Sequence, residues 1–264
     1  MTGRIIVAGD VHLGSEHANS DAFDRFLDDL GEDNDLQELV LLGDVWDLVR
    51  RDPFGCAWET SGTIVRLQRL AEDVPIRFVL GNHDTYLSAL DGSLYDIEFT
   101  DDCVLEQGTQ RIRCVHGNAF DRFQFDRLST YLSGPGDRGE IDPTNGQKDP
   151  VVAGVREIVQ RGTERLRSTP PFDQFLAADA AAYARRERRA HAYLETIPED
   201  KLLYGHTHAP YVHHENIAAN PGSWKATAPR HNTYLALVDG TIDLYQYRPS
   251  GDDERLTSHG RSFL

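Results

Sequence analysis

Five apolar runs in this chain stop on the same kind of residue: RIIVAGD ending at Asp10, LVLLGD at Asp44, RFVLGN at Asn82, RCVH at His116 and KLLYGH at His206. A short apolar run without polar alternation is buried on both faces, the pattern of strands in a covered α/β sheet. Between the first three runs, 20–30 and 56–71 show helical spacing, so βαβ units are predicted, with Ser20 and Asp21 as candidate caps of the first helix. In open α/β sheets, ligands bind beyond the carboxyl ends of the strands, where the loops converge. Five runs that each end in a donor therefore predict one cluster. A glycine precedes the donor in four of them, allowing a sharp exit and a close backbone approach.

After His116 the pattern changes. Helix-like pieces at about 119–132, 150–168 and 174–196 are interrupted by the Gly/Pro/Asp-rich loop 133–149. The strand pattern returns at 201, and 234–247 reads as a hairpin turning at Asp239-Gly240. One domain over 1–248 with a helical insertion at about 119–196 is expected, followed by a polar, flexible tail over 249–264. The 39% hydrophobic content of the 264 residues suffices for a sizeable core.

No apolar run reaches the ~18 residues of a membrane span, and the N-terminus enters a strand without a signal-peptide core. Cys56, Cys103 and Cys114 are too scattered for a disulfide framework or a thiolate zinc site. A cytoplasmic location is expected. The formal charge of -16 argues against a generic nucleic-acid binder, which needs a basic surface to displace counterions. With only Lys148, Lys201 and Lys225 as lysines and Asp recurring in pairs, the acidic bias suggests a halophilic, salt-rich cytoplasm that screens self-repulsion.

Asp10, His12, Asp44, Asn82, His116, His206 and His208 supply oxygen and nitrogen donors without a thiolate, a mixture suited to borderline divalent ions such as Mn²⁺, Fe²⁺, Zn²⁺, Co²⁺ or Ni²⁺. Seven donors exceed one tetrahedral site, whereas two ions sharing a bridging carboxylate use them all. Asp10-Val-His12, Gly43-Asp44-Val-Trp-Asp47, Gly81-Asn82-His83-Asp84, Val115-His116-Gly117 and Gly205-His206-Thr207-His208, in this order, resemble the calcineurin-like metallophosphoesterases. The resemblance implies a four-layer αββα sandwich. It also implies that Asp10, His12 and His208 hold one metal, that Asn82, His116 and His206 hold the other, and that Asp44 lies between. His83 and Asp84 are left for catalysis, His83 facing the substrate and Asp84 orienting its ring.

The activity so implied is hydrolysis of a phosphodiester, pyrophosphate or phosphomonoester bond, by attack of a metal-bridging hydroxide on a phosphorylated small molecule, nucleotide-linked ones included. A metal lowers the pKa of bound water from 15.7 to about 7, which makes that nucleophile available at neutral pH. Within the family, the early motifs and the insertion look most like the UDP-2,3-diacylglucosamine hydrolase branch. The chain departs from it with His83 in place of arginine and Asn118 in place of aspartate. A nuclease of the same superfamily is the enzymatic alternative, although no extended basic or aromatic-interleaved groove is visible. A metal-poor binding scaffold is the non-enzymatic one, but such members lose ligands that are intact here.

The remaining polar residues have blander readings. Asp47, following a strand, is as consistent with capping or solvation as with support of the metal loop, and stays outside the expected site. His17, His213 and His214 read as polar surface, Asn220-Pro221-Gly222-Ser223 as a turn, and Trp46 and Trp58 as packing residues.

Overall fold

A computed structural model describes residues 3–89, 96–120 and 186–256. The first apolar runs form β1 (Arg4–Ala8), β2 (Leu36–Leu42) and β3 (Ile76–Val79), mutually parallel and extended by β4 (Ile97–Thr100). Antiparallel to β1 lies β10 (Thr233–Val238), followed by β11 (Thr241–Gln246) and the short β12 (Glu254–Arg255), giving the order β12-β11-β10-β1-β2-β3-β4. The expected hairpin is β10–β11. It turns on Asp239 and Gly240, both with positive φ, as a two-residue turn between twisted strands requires.

The last two donor-bearing runs enter a second mixed sheet. Its strands are β5 (Asp102–Gln107), β6 (Gln110–Val115), β7 (Lys201–Tyr204), β8 (Tyr211–Val212) and β9 (Ala218–Asn220), ordered β5-β6-β7-β9-β8, with β6, β7 and β9 parallel.

Strand alternation builds the layers. From β1, Ile5 and Val7 join Leu203 of β7 and Ile112 of β6 in a core between the sheets. Ile6 and Ala8 point the other way, onto Phe23, Phe26 and Leu27 of α1 (Ser20–Gly31) and Leu67 and Leu70 of α3 (Ser61–Ala71). On the outer face of the second sheet, Leu202 and Tyr204 pack with Phe120 and with Ala190 of a helical stretch at 186–194. The fold is therefore α/β, two mixed sheets face to face with helices outside both.

Several local expectations change. The second predicted helix breaks at Thr60 into α2 (Pro53–Glu59) and α3, where Thr60 leaves the helical backbone conformation (φ -106°, ψ 19°) and its hydroxyl donates to Cys56 O while accepting from the Trp46 indole N–H. The N-cap of α1 is Asn19 rather than Ser20 or Asp21, and its amide donates to Asn232 instead of capping. Beyond Pro249, where fraying is expected, Glu254 and Arg255 pair with β11, and 257–264 lies outside the described residues. So does 121–185, which holds most of the expected insertion and the loop 133–149. Trp46 packs on Phe78 as expected, whereas Trp58 is 74% exposed.

An aromatic cluster packs beneath the first sheet around Phe26. Phe26 has ring centroids of Trp224, Tyr234 and Tyr247 at 4.9, 5.0 and 5.4 Å. Phe26→Ala is expected to lower unfolding free energy by about 3–5 kcal/mol in urea titrations. Phe54→Ala, at a 76% exposed position, should change it by no more than about 0.5 kcal/mol.

Candidate metal centre

Strand ends from both sheets deliver the predicted donors to one place. Asp10 and His12 follow β1, Asp44 follows β2, Asn82 follows β3, His116 follows β6, and His206 and His208 follow β7. Their donor atoms form overlapping groups: Asp10, His12 and His208; Asp44, His116 and His206; and His12, Asp44 and His83. Each of the first two holds three of the expected ligands of one ion, and Asn82, just beyond β3, has a buried amide oxygen.

The backbone there is unusual. Asp10, His12, Asp44, His206 and His208 have φ of 51°, 55°, 52°, 68° and 55°, in the left-handed region that side chains with a Cβ avoid. Such conformations cost on the order of 1–3 kcal/mol each and persist only where the surroundings enforce them. Here the enforcing bonds run between loops. Asp10 N donates to Gly43 O and His12 N to Asp44 O, both at 2.9 Å. His206 N donates to Asp10 Oδ2 at 2.7 Å and His83 N to Asp44 Oδ1 at 2.8 Å. A Cβ on Gly81 would collide with the Asp44 carboxylate and backbone N, and one on Gly205 would sit 2.6 Å from Asp10 Oδ2.

The donor set fits a pair of cations. Asp10 Oδ1, Asn82 Oδ1 and His116 Nε2 are buried and lack a hydrogen-bond partner, a costly condition for polar atoms, whereas His12 turns Nδ1 toward Asp47 Oδ2, 3.8 Å away, and presents Nε2 to the other ligands. His208 Nε2 stands 3.3 Å from Asp10 Oδ1 and 3.0 Å from His12 Nε2, and His116 Nε2 stands 3.3 Å from Asp44 Oδ2. Two donors about 2.1 Å from one ion at a near-tetrahedral angle are about 3.4 Å apart, so these spacings suit ligands of a shared ion. His116 Nδ1 is engaged with Leu42 O at 2.8 Å, which fixes the tautomer that presents Nε2.

The electrostatics point the same way. Burial pushes Asp10 and Asp44 up, yet His208 and His116 around Asp10, and His116, His83 and His12 around Asp44, hold both carboxyls below their usual range. Burial opposes the charged form of His116, but Asp44 and Asp10 lift its pKa to about 10. The carboxylates thus draw a proton into a fully buried ring, and a divalent ion satisfies them in its place.

The expected catalytic pair divides differently from the sequence reading. Both Asp84 oxygens accept backbone N–H groups, from Gly81 and Val45 at 2.7 Å each, so Asp84 ties the β2 and β3 loops together. Burial and Asp44 raise its pKa to about 6. The partner of the His83 ring is Asp47, whose Oδ1 lies 2.7 Å from Nδ1. Asp47 is buried, its other oxygen is 3.3 Å from Arg50 Nη1, and it is held ionised against burial by the neighbouring His12 and His83. Its signal in the sequence was the three-residue spacing from Asp44, which places both at the mouth of one loop. The turn residues Asn220 and Ser223 also serve the centre. Asn220 Nδ2 donates to Gly205 O at 2.9 Å, and Ser223 Oγ to Asp10 O at 2.8 Å.

Gly81→Ala is expected to fold, by circular dichroism, while retaining less than one ion per chain by elemental analysis, because its methyl group displaces Asp44. Adding Mn²⁺ or Zn²⁺ to the metal-stripped wild-type chain should raise the unfolding midpoint. At 100 times Kd, one site contributes about 2.7 kcal/mol, and Asp44→Ala should lose most of that response.

The profile of the calcineurin-like phosphoesterases matches residues 3–210. No curated protein matches the chain. Among solved structures, Yfce, a phosphoesterase from E. coli, aligns at 21% identity and a TM-score of 0.49, over 96% of this chain and 97% of its own. A novel archaeal phosphodiesterase aligns at 12% identity and 0.48, over 96% and 99%. A Vps29 single mutant from Entamoeba histolytica aligns at 18% identity and 0.47, over 96% and 98%. With that profile spanning well over half of its length, the chain belongs to the calcineurin-like phosphoesterase family.

Proposed function

We propose that the protein is a binuclear-metal-dependent phosphoesterase acting on a phosphodiester, pyrophosphate or phosphomonoester bond of a phosphorylated small molecule. The observation that carries this reading is the set of buried, unpartnered donors, Asp10 Oδ1, Asn82 Oδ1 and His116 Nε2, gathered at converging strand ends. Asp10, His12 and His208 are assigned to one ion, Asn82, His116 and His206 to the other, and Asp44 to both. Mn²⁺ is the first choice, with Fe, Zn, Co and Ni compatible with the same donors. When bound, the ions supply Lewis acidity toward the phosphate and bring the pKa of a coordinated water to about 7.

The chain's own residues supply the rest. His83 turns Nε2 toward the centre, 3.9 Å from Asp44 Oδ2, while Asp47 holds Nδ1. In this reading His83 is the group that gives a proton to the leaving oxygen, and the Asp47 carboxylate on Nδ1 orients its ring for that role. Asp84 acts as a positioning residue through the Gly81 and Val45 amides. Lys225 lies in the field of the site: burial and Arg50 depress its pKa, while Asp47, Asp10 and Asp44 act in the opposite sense. With Arg50, it gives the acidic protein a local positive rim for a phosphate. A nucleotide-linked substrate, the chemistry of the UDP-2,3-diacylglucosamine hydrolase branch included, is carried as the finer reading by the resemblance of the strand-end motifs.

Asp44→Ala is expected to abolish metal-dependent hydrolysis of bis(p-nitrophenyl) phosphate. His83→Ala should keep both ions and lose about 10²-fold or more in kcat; loss of an ion instead would make His83 a ligand rather than an acid. A panel of phosphomonoesters, cyclic nucleotides, nucleotide sugars and single-stranded nucleic acids distinguishes the substrate class, and preference for the last would replace this reading with a nuclease. We also infer a salt-rich cytoplasmic setting from the charge of -16; the unfolding midpoint should then rise steadily with KCl, and a flat response would remove that inference.

A further inference from the structure

Away from the binuclear centre, three more histidines gather at one place. His213 and His214 lie in the turn after β8, and His191 lies in the helical stretch 186–194 packed on the second sheet. The His191 and His213 rings meet at a centroid distance of 4.8 Å, and those of His213 and His214 at 4.2 Å. Glu215 follows directly, and one donor atom from each of His213, His214 and Glu215 lies within 4.8 Å of the others. His191 Nε2 is buried and without a hydrogen-bond partner. His213 Nδ1 receives only a long contact from Glu215 N, at 3.3 Å.

This cluster is separate from the phosphoesterase centre. His213 N donates to Ala218 O at the start of β9, and Ala218 is in register with Leu202 near the start of β7. The metal-centre histidines His206 and His208 follow the other end of β7. The two sets of ligands therefore sit toward opposite ends of the second sheet.

Three imidazoles in ring contact are a poor arrangement for a plain surface, because protonating any one disfavours the next. Burial, then His191 and His214, depress the pKa of His213; burial and His214 depress that of His191, with Glu195 one turn along the helix opposing. A ring held toward its neutral form keeps a lone pair for a metal, and at His191 and His213 the direction agrees with what the ring contacts and the orphaned Nε2 already show. Imidazoles with one carboxylate suit Zn²⁺, and exclude the all-oxygen preference of Mg²⁺ and Ca²⁺. Ligands of a tetrahedral ion stand about 3.4 Å apart, so His213, His214 and Glu215 need a contraction of up to about 1.4 Å, within reach of rotamer changes at the exposed His214 and Glu215, and His191, which joins them through its ring contact with His213, must turn inward as well.

We propose that His191, His213, His214 and Glu215 form a mononuclear Zn²⁺ site that fastens the helical stretch 186–194 to the turn between β8 and β9. The ion satisfies the orphaned His191 Nε2 and cross-links two segments far apart in sequence. Through the helix it also steadies Tyr193, whose ring packs on Phe120 at 5.6 Å, and Arg189, which donates to Phe120 O at 2.7 Å.

The test titrates Zn²⁺ into the metal-stripped, full-length chain and counts the ions retained after gel filtration by elemental analysis. The His214→Ala/Glu215→Ala variant should retain one ion fewer per chain than the wild type, with hydrolysis of bis(p-nitrophenyl) phosphate unchanged. His191→Ala should lose the same single ion, and retention there would remove the helix from the site. Conservative His214→Gln should reproduce the loss, separating ligation from any packing defect. With Co²⁺ as the probe, the wild-type minus variant spectrum should show the visible absorption of a tetrahedral ion. Equal ion counts in wild type and double variant, or a featureless difference spectrum, would overturn the proposal, whether or not the binuclear centre is catalytic.

Discussion

Two carboxylates removed from water, Asp10 and Asp44, set the terms for everything around them. Each is almost fully buried, and a buried charge is tolerated only with opposite charge and hydrogen bonds close by. The backbone supplies part of this through the N–H groups of His206 and His83. Histidines from both sheets supply more. The remaining oxygen of Asp10 and the nitrogen of His116 that faces Asp44 still lack a hydrogen bond, and that residual demand is what divalent cations meet. A dense set of donors is thus also a stability problem, one that bound cations would resolve, and their binding would then be coupled to folding.

The geometry is held by loops that bond to one another rather than by any single element. Asp84 joins the β2 and β3 loops, Asn220 and Ser223 join the last turn to the β7 and β1 loops, and His116 reaches across to Leu42 O. This cross-bracing keeps five left-handed non-glycine residues in place. It also explains the glycines before the donors. At Gly81 and Gly205 the neighbouring ligand carboxylate occupies the space a side chain would need. Strain in the loops and close packing of the ligands are two sides of one arrangement, in which a rigid sandwich offsets the cost of an unfavourable backbone at its rim.

Where the sequence misleads, local preference yields to long-range contact. Ser20 and Asp21 have good capping chemistry, but Asn19 occupies the cap position because its side chain and backbone are already committed to Asn232 and Trp224. Asp84 follows His83 in sequence and so looks like its partner, yet adjacent side chains on a turn diverge. Asp47, 36 residues earlier, is the one that arrives at the ring. In each case the decisive neighbour is distant in the chain, beyond the reach of any local pattern.

The sequence by itself determined the class of fold and the kind of donor at each strand end. Apolar runs of strand length must be buried, and a polar residue at the end of each must emerge at the edge of the sheet where its neighbours emerge. Tertiary structure decided the pairing: which carboxylate takes which imidazole, which oxygen keeps a free lone pair, and which residues accept a left-handed backbone. Those outcomes depend on distances of a few ångströms between loops of two different sheets, and such distances are fixed only when the sheets pack face to face.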